Sequence, residues 1–421
     1  MNHRLQARTS GGSGGFRRRE RSLQVRWRRD GGARLRRGST LRHHHQYGVG
    51  LRSRGSGVPT GVSATPNRPD DATQGAMPAV SIILPTYNRA HFLAKAFESI
   101  GSQTFPDWEL IVVDDGSTDG TRELATELLS GLPQSSRYIF QNNQGAYGAR
   151  NTGLEQARGK YVAFFDSDDQ WLPHHLQRCA EALDANPDVD WVYGASRIVD
   201  CQTGELRSAD SFQVDGQPRP FRKLRCEVRG GLRVLDAPGL VRHILLGAGL
   251  YAGLQNSVIR RSAMSGLQFC TSFYNEAEDQ AFLIRFLARG SRIGYFDVVH
   301  HVYCLHDQNS SASAIGLSPS RREAIYRGVV RGFEALGEQI PLSRSERWAL
   351  RRKLSNEYFW RLGFSTLWQH GQYRAALGAY GKAIRLYPFD ISCWKTLMIA
   401  LLRVTVLFRL SLSGGRPKAS A

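Results

Sequence analysis

From residue 77 onward, short runs of consecutive apolar residues alternate with stretches whose apolar positions recur every three or four residues. Val80 to Leu84 is rich in β-branched residues and predicts a strand closed by Pro85 and Thr86. Phe92, Leu93, Ala96, Phe97 and Ile100 then share one helical face before Gly101 interrupts it. Trp108 to Val113 predicts a second strand, Leu124, Leu128 and Leu129 mark an amphipathic helix, and Arg137 to Phe140 a third strand. A helix over Ala146 to Ala157 and a fourth strand over Tyr161 to Phe165 complete the pattern. Apolar strands alternating with amphipathic helices predict an α/β fold with a mainly parallel sheet covered by helices on both faces. Such sheets bind ligands beyond the carboxyl ends of their strands, so the polar residues after each strand are the candidate chemistry.

Further along, a helix reaching about Ala185 and a strand over Asp190 to Ala195 are expected, followed by irregular excursions or a weak hairpin across 200–235, where Gly204, Gly216, Pro218 and Pro220 fall. Gln255 to Arg260 reads as a strand, Glu278 to Ala288 as a helix with Phe282, Leu283, Phe286 and Leu287 inward, and Tyr295 to Tyr303 as a strand. The sheet domain, 77–315, is expected to close there and to be followed by a helical region, 316–421. Within it, Ala375, Ala376, Ala379, Tyr380 and Ile384 resemble one tetratricopeptide-like helix, which needs a neighbour to pack against. Leu397 to Leu410 is strongly apolar but carries Arg403 and Arg409. Fourteen helical residues span roughly 21 Å against a hydrocarbon core of roughly 30 Å. A helix at 396–412 that packs, joins subunits or lies on a membrane surface is therefore expected, rather than a membrane span.

Composition changes this picture in two places. The formal charge of +19 suggests nucleic acid, yet residues 1–76 hold 16 Arg and 4 acidic residues, a net of +12, which leaves +7 for the rest. That Arg/Gly-rich leader lacks apolar periodicity and is expected to be disordered. It is either an unstructured extension ahead of Met77, an organelle transit peptide, or a basic arm for nucleic acid or anionic lipid. The cysteines at 179, 201, 226, 270, 304 and 393 are scattered without a Cys-x-x-Cys pair. That spacing speaks against structural zinc or a disulfide framework and for a reduced, cytoplasmic setting.

The candidate chemistry lies where two apolar runs end in aspartates. Asp114-Asp115-Gly116-Ser117 follows the second strand and Asp166-Ser167-Asp168-Asp169 the fourth. A carboxylate at 114 or 115 can accept hydrogen bonds from ribose or a base edge, with Gly116 allowing close approach; capping of the helix near Thr121 is the plain alternative for Ser117, Thr118 and Asp119. Side chains two apart on an extended strand point the same way, so Asp166 and Asp168 are placed to converge on one hard cation. A solvated acidic turn is the competing account. Gly145, Gly148 and Arg150 open a helix, with Arg150 facing phosphate or bracing the acidic cluster. Pro85, Thr86 and Asn88 make a rigid strand exit whose polar groups suit backbone or ligand.

Together, Pro85-Thr86-Tyr87-Asn88-Arg89, Asp114 to Asp119, Asn143-x-Gly145 with Gly148-Ala149-Arg150-Asn151, Asp166 to Asp169 and Glu278-Asp279 resemble family 2 glycosyltransferases, over about Val80 to Ser313. The resemblance implies an inverting enzyme of the GT-A fold, a Rossmann-like mixed sheet, using a nucleoside diphosphate sugar, with UDP-sugars favoured, and manganese or magnesium. It places Pro85, Thr86, Tyr87, Asp114, Asp115, Arg150, Asp166, Ser167 and Asp168 about the donor, and takes the catalytic base from Asp279, with Glu278 as the runner-up. The segment Leu305-His306-Asp307 resembles the histidine-containing end of the domain, making His306 a metal or diphosphate contact, although His300 and His301 stand close by. Because a Gln-x-x-Arg-Trp segment and multiple long spans are missing, transfer of a single sugar is implied. The acceptor would be a saccharide or lipid-linked precursor in polysaccharide or glycolipid assembly, handled in the cytoplasm or at the inner membrane face. A nucleic-acid-binding protein and a scaffold with a decayed sugar site are the competing functions.

Overall fold

A computed structural model of the chain describes residues 77–247, 249–250, 253–271, 276–306, 309 and 318–413. The leader of 1–76, with its expected disorder, and the domain end near 315 lie outside the described residues. In chain order the elements begin β1 (Val80–Thr86), α1 (Ala90–Gly101), β2 (Trp108–Asp114), α2 (Thr121–Ser130), β3 (Ser136–Phe140), α3 (Gly145–Gln156) and β4 (Tyr161–Phe164). They continue with β5 (Gln170–Trp171), α4 (His175–Ala185), β6 (Trp191–Asp200), β7 (Leu206–Ser208), β8 (Gln213–Val214), β9 (Gln217–Pro218), β10 (Cys226–Arg229), β11 (Leu232–Leu235) and α5 (Leu240–Leu245). After β12 (Ser257–Arg260), α6 (Glu276–Ala288) and β13 (Ile293–Leu305) come the helices α7 (Pro319–Gln339), α8 (Arg344–Asn356), α9 (Tyr373–Leu386) and α10 (Ile391–Ser413). A π-helical stretch, Glu357–Trp368, continues α8.

The main sheet has the order β10-β11-β13-β6-β12-β4-β1-β2-β3. β3, β2, β1 and β4 run parallel, β12 is antiparallel to both β4 and β6, and β13 is parallel to β6. The carboxyl ends of β1, β2, β4, β6 and β13 therefore share one edge. β1 and β2 are buried along their whole length, which is why their sequences read as near-continuous apolar runs rather than as alternation. Successive side chains serve two cores. Ile82, Leu84, Leu110 and Val112 meet Leu93, Phe97 and Ile100 of α1 and Leu176 of α4 on one face. Ile83, Ile111, Val113, Val162 and Phe164 meet α3 and α6 on the other. Each such large apolar side chain contributes roughly 1.5–3 kcal/mol when fully buried.

The helical region extends the second core. α7 packs on α6, α5 on α8, and α9 on the π-helical stretch, where Tyr380 stacks on Phe359 at 4.2 Å between ring centroids. Gly363 is required there, because a Cβ would approach the Tyr380 ring to 2.7 Å. The tetratricopeptide-like helix thus finds the preceding helix as its neighbour. Ser343 caps α8 in a reciprocal capping box with Glu346. The terminal apolar helix starts six residues before Leu397 and leaves Ile391, Trp394, Met398 and Ile399 exposed. Among the described residues no helix is long and apolar enough to cross a membrane.

Three expectations need correction, and a fourth, over 200–235, becomes specific. β1 runs on through Pro85 and Thr86, since Pro85 sits opposite Val113 in a parallel register that does not need its missing N–H. Within 200–235, where excursions or a weak hairpin were expected, β10 and β11 form a hairpin, and it joins the main sheet against β13. β4 ends at Phe164, and Asp166 to Asp169 form a turn closed by the Asp169 amide donating to the Asp166 carbonyl at 3.0 Å, so strand alternation does not set the direction of these carboxylates. Finally, Cys201 at the end of β6 and Cys304 at the end of β13 form a disulfide across 103 residues, against the expectation of scattered reduced thiols. Their Cα atoms are 5.4 Å apart because the two strands pair in parallel at that point.

Candidate active site

Three loops at the shared strand edge build the site. After β1, Asn88 adopts a left-handed backbone, φ +52°, and ties this loop to the next: its amide donates to Ser117 Oγ at 2.9 Å, and its Oδ1 accepts from the Thr118 amide at 2.8 Å. Asn is one of the few residues that tolerates this conformation. Thr86 is buried and its Oγ1 has no partner. Tyr87 is exposed.

The Asp114-Asp115 pair is committed internally. Asp114 accepts from the Ser117 amide at 2.8 Å and from the Tyr138 hydroxyl at 2.6 Å. Asp115 accepts from Gln141 Nε2 at 2.7 Å and from the amides of Gln144 at 2.8 Å and Gly145 at 2.7 Å. It thus serves the orphan donors at the start of α3, where a negative charge is also favoured by the helix dipole. Burial nonetheless raises its pKa above the ordinary value, against the three hydrogen bonds that lower it. Gly116, at φ +86°, passes so close to Asn143 that a Cβ would reach its amide nitrogen at 3.2 Å. Asp115 thus caps α3, a different helix from the one near Thr121 that Ser117, Thr118 and Asp119 were expected to cap.

The Asp166–Asp169 turn gathers charge from α3, from the residue before α1 and from β13 with its end. Arg150 of α3 donates to Asp166 Oδ1 at 2.6 Å, which realises the bracing role expected for it. Burial works against the buried guanidinium's charge, but Asp166 and Asp279 hold its pKa above the ordinary value. Ser167 is buried beside them. Asp168 Oδ2 lies 3.0 Å from His306 Nε2 and 3.8 Å from Arg89. Burial raises the Asp168 pKa, yet the His306 hydrogen bond and the Arg89 charge outweigh it and hold the carboxyl below its ordinary range. The His306 ring packs 4.9 Å from that of Phe92, and the Arg89 guanidinium lies 5.3 Å from the same Phe92 centroid. Of the three neighbouring histidines, His306 is the one that meets the acidic pair.

Asp169 is the residue that spacing alone did not single out. It is buried, accepts from the Cys304 amide at 3.0 Å and lies 2.9 Å from His301 Nε2, whose Nδ1 is 3.0 Å from Ser196 Oγ. Burial pushes its carboxyl up to about 6. Asp169 therefore anchors the turn to β13 and β6. Two register shifts in β13, between Phe296 and Val299 and between Val299 and His301, bring His301 opposite Ser196 and beside this anchor.

The opposite wall is the start of α6. Glu278 and Asp279 are adjacent in sequence but about 100° apart around the helix. Glu278 turns inward, accepts from the Cys270 amide at 2.7 Å and pairs with Arg285. Its Oε2 is buried without a partner, and burial pushes the carboxyl up to about 7 despite both contacts. Asp279 turns toward the strand edge, where the Tyr147 hydroxyl donates to its Oδ1 at 3.3 Å. Tyr147 also lies under Arg150, 5.2 Å from the guanidinium to the ring centroid, so Asp279, Tyr147, Arg150 and Asp166 form one connected row. Arg89 stood in the first motif without a chemical signal of its own, and Tyr147 fell between the motif residues Gly145 and Gly148. A cavity of about 990 Å³ lined by Lys160, Arg260 and Met264 opens at the amino end of β4, away from this row.

Residues 81–237 match the profile of glycosyl transferase family 2. The chain carries a family 2 glycosyltransferase domain. Over 123 residues it is 38% identical to the UDP-Glc:alpha-D-GlcNAc-diphosphoundecaprenol beta-1,3-glucosyltransferase WfgD of Escherichia coli, covering 28% of this chain and 46% of that one. Over 119 residues it is 43% identical to the GalNAc(5)-diNAcBac-PP-undecaprenol beta-1,3-glucosyltransferase of Campylobacter jejuni, covering 28% of this chain and 38% of that one. The match thus spans less than half the length of either curated relative. In fold, the chain resembles Staphylococcus aureus TarS 1–349 in complex with UDP-GlcNAc, with a TM-score of 0.52 and 22% identity over 73% of this chain and 81% of that one. The sheet with its helical covering is thus a GT-A glycosyltransferase fold.

Proposed function

We propose that the protein transfers one sugar from a nucleoside diphosphate sugar to an acceptor hydroxyl, with inversion, on a saccharide carried by a lipid diphosphate. The observation that carries this reading is the row from Asp166 to Asp279. It sets a cation-binding turn on one wall of the strand edge and a separately held carboxylate on the other. UDP is the favoured nucleotide, supported by the donor named for the Escherichia coli relative, and an undecaprenyl diphosphate saccharide the favoured acceptor, supported by the acceptors named for both relatives.

The residues of the turn fit a manganese or magnesium ion. Asp168 Oδ2 and His306 Nε2 are 3.0 Å apart, close enough for one ion to take both, and Arg150 occupies only Oδ1 of Asp166. Carboxylate oxygens with one imidazole suit such ions. When bound, the ion would supply positive charge to the departing nucleoside diphosphate. Arg150 holds Asp166 in place and Asp169 holds the turn on β13. Asp279 accepts the proton of the acceptor hydroxyl while that oxygen bonds to the anomeric carbon. The bond to the diphosphate oxygen breaks with its electron pair leaving on phosphate, so a single displacement inverts the centre. Tyr147 positions Asp279 for this step. Pro85, Thr86 and Tyr87, with the Asp115-bearing loop, border the nucleoside. The exposed apolar residues of α10 give the protein a surface for the membrane in which a lipid-linked acceptor resides.

The test is a screen of the full chain against nucleoside diphosphate sugars and undecaprenyl diphosphate saccharides, with manganese, magnesium or chelator, read by product mass. Addition of one sugar residue with release of nucleoside diphosphate is expected. No transfer from any donor in the panel would overturn the reading.

A further inference from the structure

On the far side of β13 from the anchor of Asp169, three side chains meet that the transfer reaction does not use. His175 and Cys179 stand four residues apart on α4, on one helical face. His300 comes from β13, and all three are fully buried. His175 Nδ1 and His300 Nδ1 are 3.4 Å apart, Cys179 Sγ is 3.7 Å from His300 Nδ1, and it is 3.9 Å from His175 Nδ1. The Nε2 atoms of both rings are buried without a partner. Each imidazole therefore has only its Nδ1 side to offset the cost of leaving water.

We propose that His175 Nδ1, His300 Nδ1 and Cys179 Sγ bind a zinc ion that pins α4 to β13 behind the Asp166–Asp169 turn. With Zn–N of about 2.0 Å and Zn–S of about 2.3 Å, tetrahedral angles place two nitrogens about 3.3 Å apart and a nitrogen and sulfur about 3.5 Å apart. The three observed separations are within a few tenths of an ångström of that triangle. A metal-free cluster explains them less well, since 3.4 Å is long for an N–H···N hydrogen bond and leaves three buried polar groups with only long contacts among themselves. The donor set of two neutral imidazoles and one thiolate is the borderline-soft set that zinc takes.

The surroundings are built for these side chains. Gly194 on β6 lies against His300, where a Cβ would come within 2.4 Å of the ring. Phe296 stacks on His300 with centroids 5.3 Å apart, and the Trp171 ring lies 4.7 Å from that of His175. The His300 carbonyl accepts from the Leu172 amide at 2.9 Å, three residues past Asp169. His300 and His301 are consecutive on β13, so the ion and the Asp169 anchor fix opposite faces of one strand segment. The site is structural and separate from the proposed donor cation, which meets Asp168 and His306.

The experiment is elemental analysis of the purified full chain after dialysis, with X-ray absorption at the zinc edge. About one zinc per chain is expected, with one sulfur and two nitrogen donors. Cys179→Ser should lower bound zinc at least tenfold, while Asp168→Asn, which disables the donor-cation turn, should leave it unchanged. A strong chelator should strip the ion and lower the melting temperature of the parent but not that of Cys179→Ser. Should a variant fail to fold, the absorption spectrum of the parent still decides the ligand set. Zinc below a tenth of an equivalent, copper in its place, a first shell without sulfur, or zinc lost with Asp168→Asn would each overturn the assignment.

Discussion

His306 Nε2 lies 3.0 Å from Asp168 Oδ2, joining the end of β13 to the turn after β4 across 138 residues of sequence. Two potential ligand atoms at that distance on separate elements make a pair that one cation can bridge. Asp168→Asn keeps the volume and removes the charged ligand, so manganese-dependent binding of UDP should weaken at least tenfold. His306→Ala should weaken it by a comparable factor. Isothermal calorimetry with manganese and with chelator measures this, and unchanged metal-dependent affinity in both variants would sink the assignment.

Arg150 is nearly buried and holds Asp166 at 2.6 Å. Removing one partner of a buried pair leaves the other charge unpaired and costs roughly 3–5 kcal/mol. Arg150→Met should therefore lower stability by an amount near the bottom of that range, because Asp166 retains some access to solvent. The double variant Arg150→Met with Asp166→Asn should recover part of the loss. Denaturant unfolding of the four proteins gives the coupling, and strict additivity would show that the pair does not interact.

Glu278 offers a pH signature of its own. Burial, the largest influence, raises its carboxyl from an ordinary 4.5 to about 7, and the Cys270 amide and Arg285 only partly oppose it. A pKa raised on folding means that the native state binds the proton more tightly. The contribution to stability is therefore complete below pH 4.5 and is lost as pH rises through about 7. At about 1.4 kcal/mol per pKa unit the ceiling is roughly 3 kcal/mol. Between pH 5 and pH 7 the parent should lose stability that Glu278→Gln does not lose. Equal slopes in the two proteins would contradict this.

Much of the sheet and its edge was legible because its signals are local. The apolar runs of β1, β2 and β4 and the face of α1 follow from neighbouring residues alone. What was not legible depends on distant partners. The spacing of Asp166 and Asp168 suggested a shared direction through strand alternation, whereas a turn, fixed by Asp169 on His301 and Cys304, sets their geometry. Glu278 and Asp279 were ranked by resemblance, and only the helical register against Cys270, Arg285 and Tyr147 separates them. The histidines at 300, 301 and 306 looked interchangeable, yet β13 sends them to three different neighbours. Cys201 and Cys304 gave no local pattern because parallel pairing of β6 with β13 is what brings them together.

The outer face of α10 presents Trp394 and Met398, 44% and 56% exposed. Replacing both by Glu places charge on the face proposed to meet the membrane. Sedimentation with anionic vesicles should fall several-fold while affinity for UDP is unchanged. Equal sedimentation of parent and double variant would remove α10 from the membrane account.

The central claim is sugar transfer with Asp279 as the base, and the decisive measurement compares donor binding with turnover in one variant. Asp279→Asn keeps the size of the side chain and its contact with Tyr147 but removes the proton acceptor. It should bind the nucleoside diphosphate sugar as the parent does and transfer its sugar roughly 100-fold more slowly or worse. Glu278→Gln, measured under conditions where it stays folded, should retain turnover, and the anomeric configuration of the parent's product should be inverted. Transfer by Asp279→Asn at the parental rate would contradict the account.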